Sequence, residues 1–178
     1  MRLFLSVAYC GNGRSQAGMG LAIGDYNNDG FFDLFVTNFA QDYNTLYENS
    51  GKGYFSDVSG KAGLGASSRP FMGWGTFFFD ADKDGWEDIF VANGHLMPDI
   101  DKAGISLKYH QHNQLYHNTG TGKFLDISQE VGPALKSERV SRGAAFGDYD
   151  NDGDLDILVA NLDSKPSLLR NETKSTHH

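Results

Sequence analysis

The sequence predicts an all-β fold made of three tandem units, and three observations carry that expectation. A nine-residue acidic segment occurs three times, as Asp25-Tyr-Asn-Asn-Asp-Gly-Phe-Phe-Asp33, Asp80-Ala-Asp-Lys-Asp-Gly-Trp-Glu-Asp88 and Asp148-Tyr-Asp-Asn-Asp-Gly-Asp-Leu-Asp156, all fitting D-x-[DN]-x-D-G-x-x-D. Each leads into a short apolar run that ends in Asn: Leu34 to Asn38, Ile89 to Asn93 and Ile157 to Asn161. These runs are rich in β-branched and aromatic residues and have no helical period. Glycine, at 22 of 178 residues, exceeds ordinary usage of about 7%, while proline occurs four times, a mix suited to short strands and tight turns.

In the first unit, strand A is expected from Met19 to Gly24, strand B from Leu34 to Thr37, strand C from Asn44 to Asn49, a turn at Ser50 to Gly53, and strand D from Tyr54 to Val58. The second unit repeats this with Gly75 to Phe79, Ile89 to Ala92, Asn113 to Asn118, a turn at Thr119 to Gly122, and Lys123 to Ile127. The third runs through Gly143 to Gly147, Ile157 to Ala160 and Ser167 to Asn171, and stops without a strand D. First aspartates lie 55 and 68 residues apart. Four short strands at such spacing indicate propeller blades, so the expected fold is a partial β-propeller of three four-stranded blades. The expected division is a preceding strand in 1–17, blades at 18–64, 65–132 and 133–172, and a disordered tail at 173–178. Small residues at Gly20, Ala22, Gly75, Gly143, Ala144 and Ala145 fit a strand A nearest a crowded axis, and a strand B apolar on both faces fits a blade between two others.

The acidic segments join strand A to strand B, and their chemistry is that of a hard-cation loop. Side-chain oxygens at positions 1, 3, 5 and 9 come from Asp25, Asn27, Asp29 and Asp33, from Asp80, Asp82, Asp84 and Asp88, and from Asp148, Asp150, Asp152 and Asp156. Position 7, occupied by Phe31, Trp86 and Asp154, would add its backbone carbonyl, and glycine at position 6 permits the tight turn. Calcium takes six to eight oxygens at flexible geometry, so about three Ca2+ ions are expected. An EF-hand is disfavoured: position 12 is Val36, Val91 or Val159 rather than Glu, and the flanks are strands. Asn27 leaves the first loop one carboxylate short, which predicts the weakest binding there.

The formal charge of −8 is mostly ligand charge, and three divalent ions would bring it to about −2. Without a basic stripe, nucleic acid is not an expected partner. Cys10 stands alone, so no internal disulfide forms, and no run is long enough to insert into a membrane. Residues 1–10 have too short an apolar core for a leader and Tyr9 is too large before a cleavage site, whereas the alternation of Leu3, Leu5 and Val7 suits a strand.

Recognition is expected on the face opposite the metal loops, where the connections 38–42, 61–71, 93–112 and 129–141 run. The longest, 94–112, holds the candidate partner-binding residues His95, Asp99, Asp101, His110 and His112. Imidazole and carboxylate there would suit zinc, but the spacing matches no established zinc motif, and solvated loop residues explain them as well. Arg14, Arg69 and Arg142 each precede a strand A, where they would line a rim that binds an acidic partner or else cap carbonyls and bridge blades. Asn171-Glu-Thr173 reads as a glycosylation sequon, but Asn171 also matches Asn49 and Asn118 in the repeat. No nucleophile elbow, phosphate loop or separate acid–base pair is present, so catalysis is not expected.

The stretches GMGLAIGDYNNDG, FVTNF…YNTLYEN, GWGTFFFDADKDGWEDIFVANGH and VSRGAAFGDYDNDGDLDILVANLD…LLRNE resemble FG-GAP/VCBS repeats, the calcium-loop blades also found in integrin alpha-chain propellers. Within that class they are most similar to the cartilage-acidic-protein-like group, often associated with an ASPIC/UnbV domain. The resemblance covers roughly residues 12–172. It implies a calcium-stabilised, extracellular, cell-surface or periplasmic module that binds a protein or glycan as adhesion propellers do. The alternatives are a non-catalytic structural or self-assembly portion of a larger secreted protein and, more remotely, a metal-dependent enzyme. Three blades do not close a ring. The chain is therefore expected either to be a fragment of a longer protein or to associate through its open edges, one copy's N-terminal strand completing another's last blade.

Overall fold

Each acidic segment reverses the chain between two strands, and this places three antiparallel sheets in sequence order. The computed structural model describes residues 7, 10–162 and 164–173. Sheet one is β1 (Gly20–Gly24), β2 (Asp33–Thr37), β3 (Thr45–Asn49) and β4 (Phe55–Asp57), and sheet two is β5 (Gly73–Phe79), β6 (Asp88–Asn93), β7 (Gln114–Asn118) and β8 (Phe124–Asp126). Sheet three is β9 (Ser141–Gly147), β10 (Asp156–Asn161) and β11 (Ser167–Leu169). In every sheet the strands pair in chain order, all antiparallel, and no sheet closes on itself. The register is the same at each loop, with Gly24 opposite Asp33, Phe79 opposite Asp88 and Gly147 opposite Asp156.

The strands match the expected ones to within two residues at their ends, and sheet three has no fourth strand among the described residues. The expected strand at Leu3 to Ala8 lies outside the described residues save Val7, as does the 173–178 tail save Thr173. Two one-turn helices, α1 (Leu64–Ser67) and α2 (Pro133–Lys136), and a 3-10 turn at Ile100–Ala103 have no counterpart in the sequence expectation. They are too short to display a helical period, and each exists to seat one apolar side chain: Leu64, Leu135 and Ile100 are buried.

The first strands of the three sheets lie next to one another, β1 against β5 and β5 against β9. This is why they are rich in glycine and alanine: a Cβ on Gly20 would collide with the Trp74 carbonyl, and one on Gly75 would sit 2.7 Å from the Ala144 nitrogen. Behind them the central sheet is apolar on both faces. Phe78, Ile89, Val91 and Tyr116 point to sheet one, where they meet Ala22, Tyr26, Phe35 and Leu46. Phe77, Phe79, Phe90, Ala92 and Leu115 point to sheet three and meet Ile157 and Val159. All six residues of β6 are buried, whereas β2 and β10 bury only one face fully. A third cluster of Ala40, Met72, Ile100 and Leu107, with Trp74 and Tyr109, lies under the 94–112 connection and anchors it. No helix among the described residues is long and apolar enough to cross a membrane.

A core packed on both faces of one sheet predicts a sharp contrast between two strand-B positions. Phe90→Ala removes a fully buried ring stacked on Phe77 and is expected to cost about 3–5 kcal/mol in urea unfolding. Leu158→Ala, at 51% exposure on the outer face of β10, is expected to cost about 0.5 kcal/mol or less.

Candidate metal centres

The three loops fold by the same set of internal hydrogen bonds. The position 6 glycines adopt φ of 86°, 88° and 89°, and the residues at position 4, Asn28, Lys83 and Asn151, lie at 54°, 62° and 60°. These left-handed residues turn the backbone inward, so the glycine N–H donates to the first aspartate: Gly30 to Asp25 at 2.8 Å, Gly85 to Asp80 at 2.9 Å and Gly153 to Asp148 at 3.1 Å. The position 7 N–H donates to the position 5 carboxylate in each loop, at 2.8–3.0 Å. Asp33, Asp88 and Asp156 begin β2, β6 and β10, are buried, and accept the N–H of Asn49, Asn118 and Asn171 at 2.7–2.8 Å.

Those bonds gather the carboxylates of each loop around one turn; in Asp25 and Asp80 both oxygens accept an N–H. Single carboxylate oxygens of Asp80, Asp82 and Asp84 come within 4.8 Å of one another, as do those of Asp148, Asp150 and Asp156. Asp82 and Asp88 form a further such group with His117. Loop one brings no three carboxylates that close; there Asn27 donates to Asp29 at 3.2 Å. Loop one has a different signature. Asp33 Oδ2 is buried and has no donor in hydrogen-bonding geometry. Its counterparts on Asp88 and Asp156 accept the N–H of Ala81 at 3.2 Å and Tyr149 at 3.0 Å, while the Tyr26 N–H acts on Asp33 only from outside that geometry. A buried carboxylate oxygen without a donor is costly unless a cation meets it. Burial, with repulsion from Asp29 and Asp25, pushes Asp33 up to about 6. Burial also raises Asp88 and Asp82, with added repulsion from Asp82 and Asp84 respectively. An all-oxygen donor set of this charge fits a hard divalent ion. Phe31 and Trp86, whose backbone carbonyls are the expected position 7 donors, lie over Gly51 and Gly120 of the C–D turns.

Neighbouring loops are tied to one another, which the sequence did not disclose. Asn118 Nδ2 donates to the Tyr26 carbonyl of loop one at 2.8 Å and to the Glu87 carbonyl at 3.1 Å, and Asn171 Nδ2 donates to the Ala81 carbonyl of loop two at 2.7 Å. Glu87 accepts the Asp25 N–H at 2.8 Å and Asn28 donates to the Gly85 carbonyl at 3.1 Å. The residue just before each repeat Asn also reaches the loops: Glu48 accepts the Tyr26 hydroxyl at 2.7 Å, His117 lies 3.2 Å from Asp88, and Arg170 lies 2.7 Å from Asp150. The only sequence signal for these was the unspecified x in L-[YL]-x-N, filled by a polar side chain each time.

The candidate recognition residues are dispersed. His95 is buried, its Nδ1 accepting the Met97 N–H, with no partner at Nε2. Asp99 pairs with Lys102, Asp101 accepts the Tyr109 N–H at 3.3 Å, His110 packs edge-on to Tyr109, and His112 packs against Phe71. No three of them come within metal-ligating distance. Arg142 caps the carbonyls of Gly94, Ser141 and His95 while lying 4.3 Å over the Trp74 ring. Arg69 lies 5.9 Å from the Tyr43 ring.

The FG-GAP-like repeat family matches residues 25–91 and 99–172. No curated protein matches the chain.

The cross-loop bonds make asparagine the sensitive residue. Asn118→Ala leaves the Tyr26 and Glu87 carbonyls without their donor and is expected to cost about 1–3 kcal/mol in chemical unfolding. Asn49→Ala, whose amide reaches only the exposed-side Phe32 carbonyl, is expected to cost about 1 kcal/mol or less.

Proposed function

The chain belongs to the FG-GAP-like repeat family, matched over most of its length, and from that premise we propose a calcium-stabilised propeller module for extracellular or cell-surface binding of a protein or glycan. Repeats of this family are often extracellular binding modules and are generally non-catalytic. The observation that carries the calcium part is the buried Asp33 Oδ2, which has no donor in full hydrogen-bonding geometry, in a loop that shares the glycine-to-first-aspartate bond of its two counterparts.

The side chains at positions 1, 3, 5 and 9 and the carbonyl at position 7 would hold one ion in each loop. Bound calcium would supply the positive charge that carboxylates crowded in one turn lack. The chain prepares the rest: glycine and left-handed residues turn the loop, N–H bonds aim the first and fifth side chains inward, and the buried position 9 aspartate fixes the loop to its sheet. Binding free energy then becomes folding free energy. In this proposal the loops are structural, and recognition belongs to the opposite end, where the 38–42, 61–71, 93–112 and 129–141 connections run.

Thermal unfolding in millimolar calcium against excess chelator tests this. Each site held at a hundredfold its dissociation constant adds about 2.7 kcal/mol, and each kcal/mol raises Tm by about 2–4 °C at this size. A rise of several degrees, smaller in magnesium, is expected; equal Tm values in calcium and chelator would overturn the calcium assignment.

A second proposal, a structural or self-assembly portion of a larger secreted protein, is favoured by the two outer sheet faces. Leu21 and Ile23 of β1 are 58% and 60% exposed, and Leu158 and Leu168 of sheet three are 51% and 45% exposed. Further blades of a longer chain or a second copy would cover them. Light scattering separates the two: a dimer or larger species supports self-association, and a monomeric mass counts against it.

A further inference from the structure

Loop three differs from the other two in one respect that ligand count does not show: the protein supplies it with its own cations. Arg170, directly after β11, places Nε 2.7 Å from Asp150 Oδ2 and Nη2 3.4 Å from Asp152 Oδ2. Lys83, at position 4 of loop two, pairs with Asp154 across the gap between the loops. Asp150 and Asp152 are positions 3 and 5, so the guanidinium occupies oxygens that a metal would need.

The equivalent places around the other loops are filled differently. Beside loop one stands Glu48, an acid held by the Tyr26 hydroxyl, with Glu87 at the Asp25 N–H, and loop one forms no ion pair among the described residues. Beside loop two stands His117, 3.2 Å from Asp88 and 3.7 Å from Asp82. Charge at one structural position thus runs from negative through imidazole to positive across the three loops.

We propose that Arg170 and Lys83 are tethered counter-ions that keep loop three closed without a divalent cation and make it the weakest of the three calcium sites. This rests on the calcium assignment above. It reverses the order expected from ligand count, in which Asn27 makes loop one weakest. Loop one lacks a carboxylate but also lacks any competing cation among the described residues, and it holds the Asp33 oxygen that has no donor in full hydrogen-bonding geometry. Loop three has the fuller acidic set, but a cation entering there must first displace a guanidinium from two of its ligands.

Calcium calorimetry on the full chain tests this, with three variants. Asp152→Asn assigns the loop-three event by weakening it. Arg170→Gln removes the guanidinium from an exposed side chain, and Lys83→Asn installs the residue type that loops one and three already carry at position 4, so both variants keep a foldable backbone. The expected result is two tighter events and one weaker event, the weaker one lost in Asp152→Asn and strengthened roughly three- to tenfold in the Arg170→Gln, Lys83→Asn double variant. The loop-one event is expected to stay unchanged. If the weakest event survives in Asp152→Asn, or the double variant leaves the loop-three affinity unaltered, the counter-ion proposal is overturned while the calcium assignment stands. Absence of calcium binding at every loop overturns both.

Discussion

The contact on which the three sheets depend is the buried aspartate at the end of each acidic loop. Asp33, Asp88 and Asp156 are at most 2% exposed, and each accepts the N–H of the asparagine that ends or follows the third strand of its sheet. One carboxylate thereby joins the A–B loop, strand B and strand C. A buried charge is tolerated only when its oxygens are met by donors or cations. Loops two and three meet the second oxygen with a well-placed backbone N–H, whereas in loop one no donor reaches it in full hydrogen-bonding geometry. The same group that builds the sheet therefore also creates the demand for a counter-charge.

The demand is shared because the loops are linked. Asn118 and Asn171 each use the backbone N–H for their own sheet's aspartate and the side-chain amide for the carbonyl after the first aspartate of the preceding loop. Each of these asparagines ties its own sheet to the preceding loop, and Glu87 and Asn28 add further bonds between loops one and two. The opposite end is organised by apolar plugs, Leu64, Ile100 and Leu135, under otherwise irregular connections. The long 94–112 segment is seated by Ile100 and Leu107, so its exposed residues are displayed from an anchored base.

Between the two ends the core has one sheet with two apolar faces and two sheets with one fully buried face each. Alternation in β6 sends Phe90 and Ala92 one way and Ile89 and Val91 the other, so both directions are apolar. In β10 the same alternation buries Ile157 and Val159 and leaves Leu158 exposed. The apolar character of Leu158 is thus a sequence property that the described residues leave half exposed, as is that of Leu21 and Ile23.

The sequence by itself determined the strand order, the three loops and, among the described residues, a third sheet without a fourth strand. All of these follow from local rules: period-two alternation, glycine at a left-handed position, and oxygens at fixed spacing. Asp25 to Asp33 could be read as a cation loop because every donor lies within nine residues. Only the tertiary structure decided what surrounds each loop. Glu48, His117 and Arg170 are far in sequence from the loop groups they meet, the Tyr26 hydroxyl and the carboxylates of Asp88 and Asp150, and Lys83 serves a loop other than its own. The charge at those positions is visible in the sequence, but which oxygens it meets depends on strand pairing and on the packing of one sheet against the next. The short helices at Leu64 and Pro133 escaped for a related reason: one turn carries no period, and only a core in need of a plug selects it.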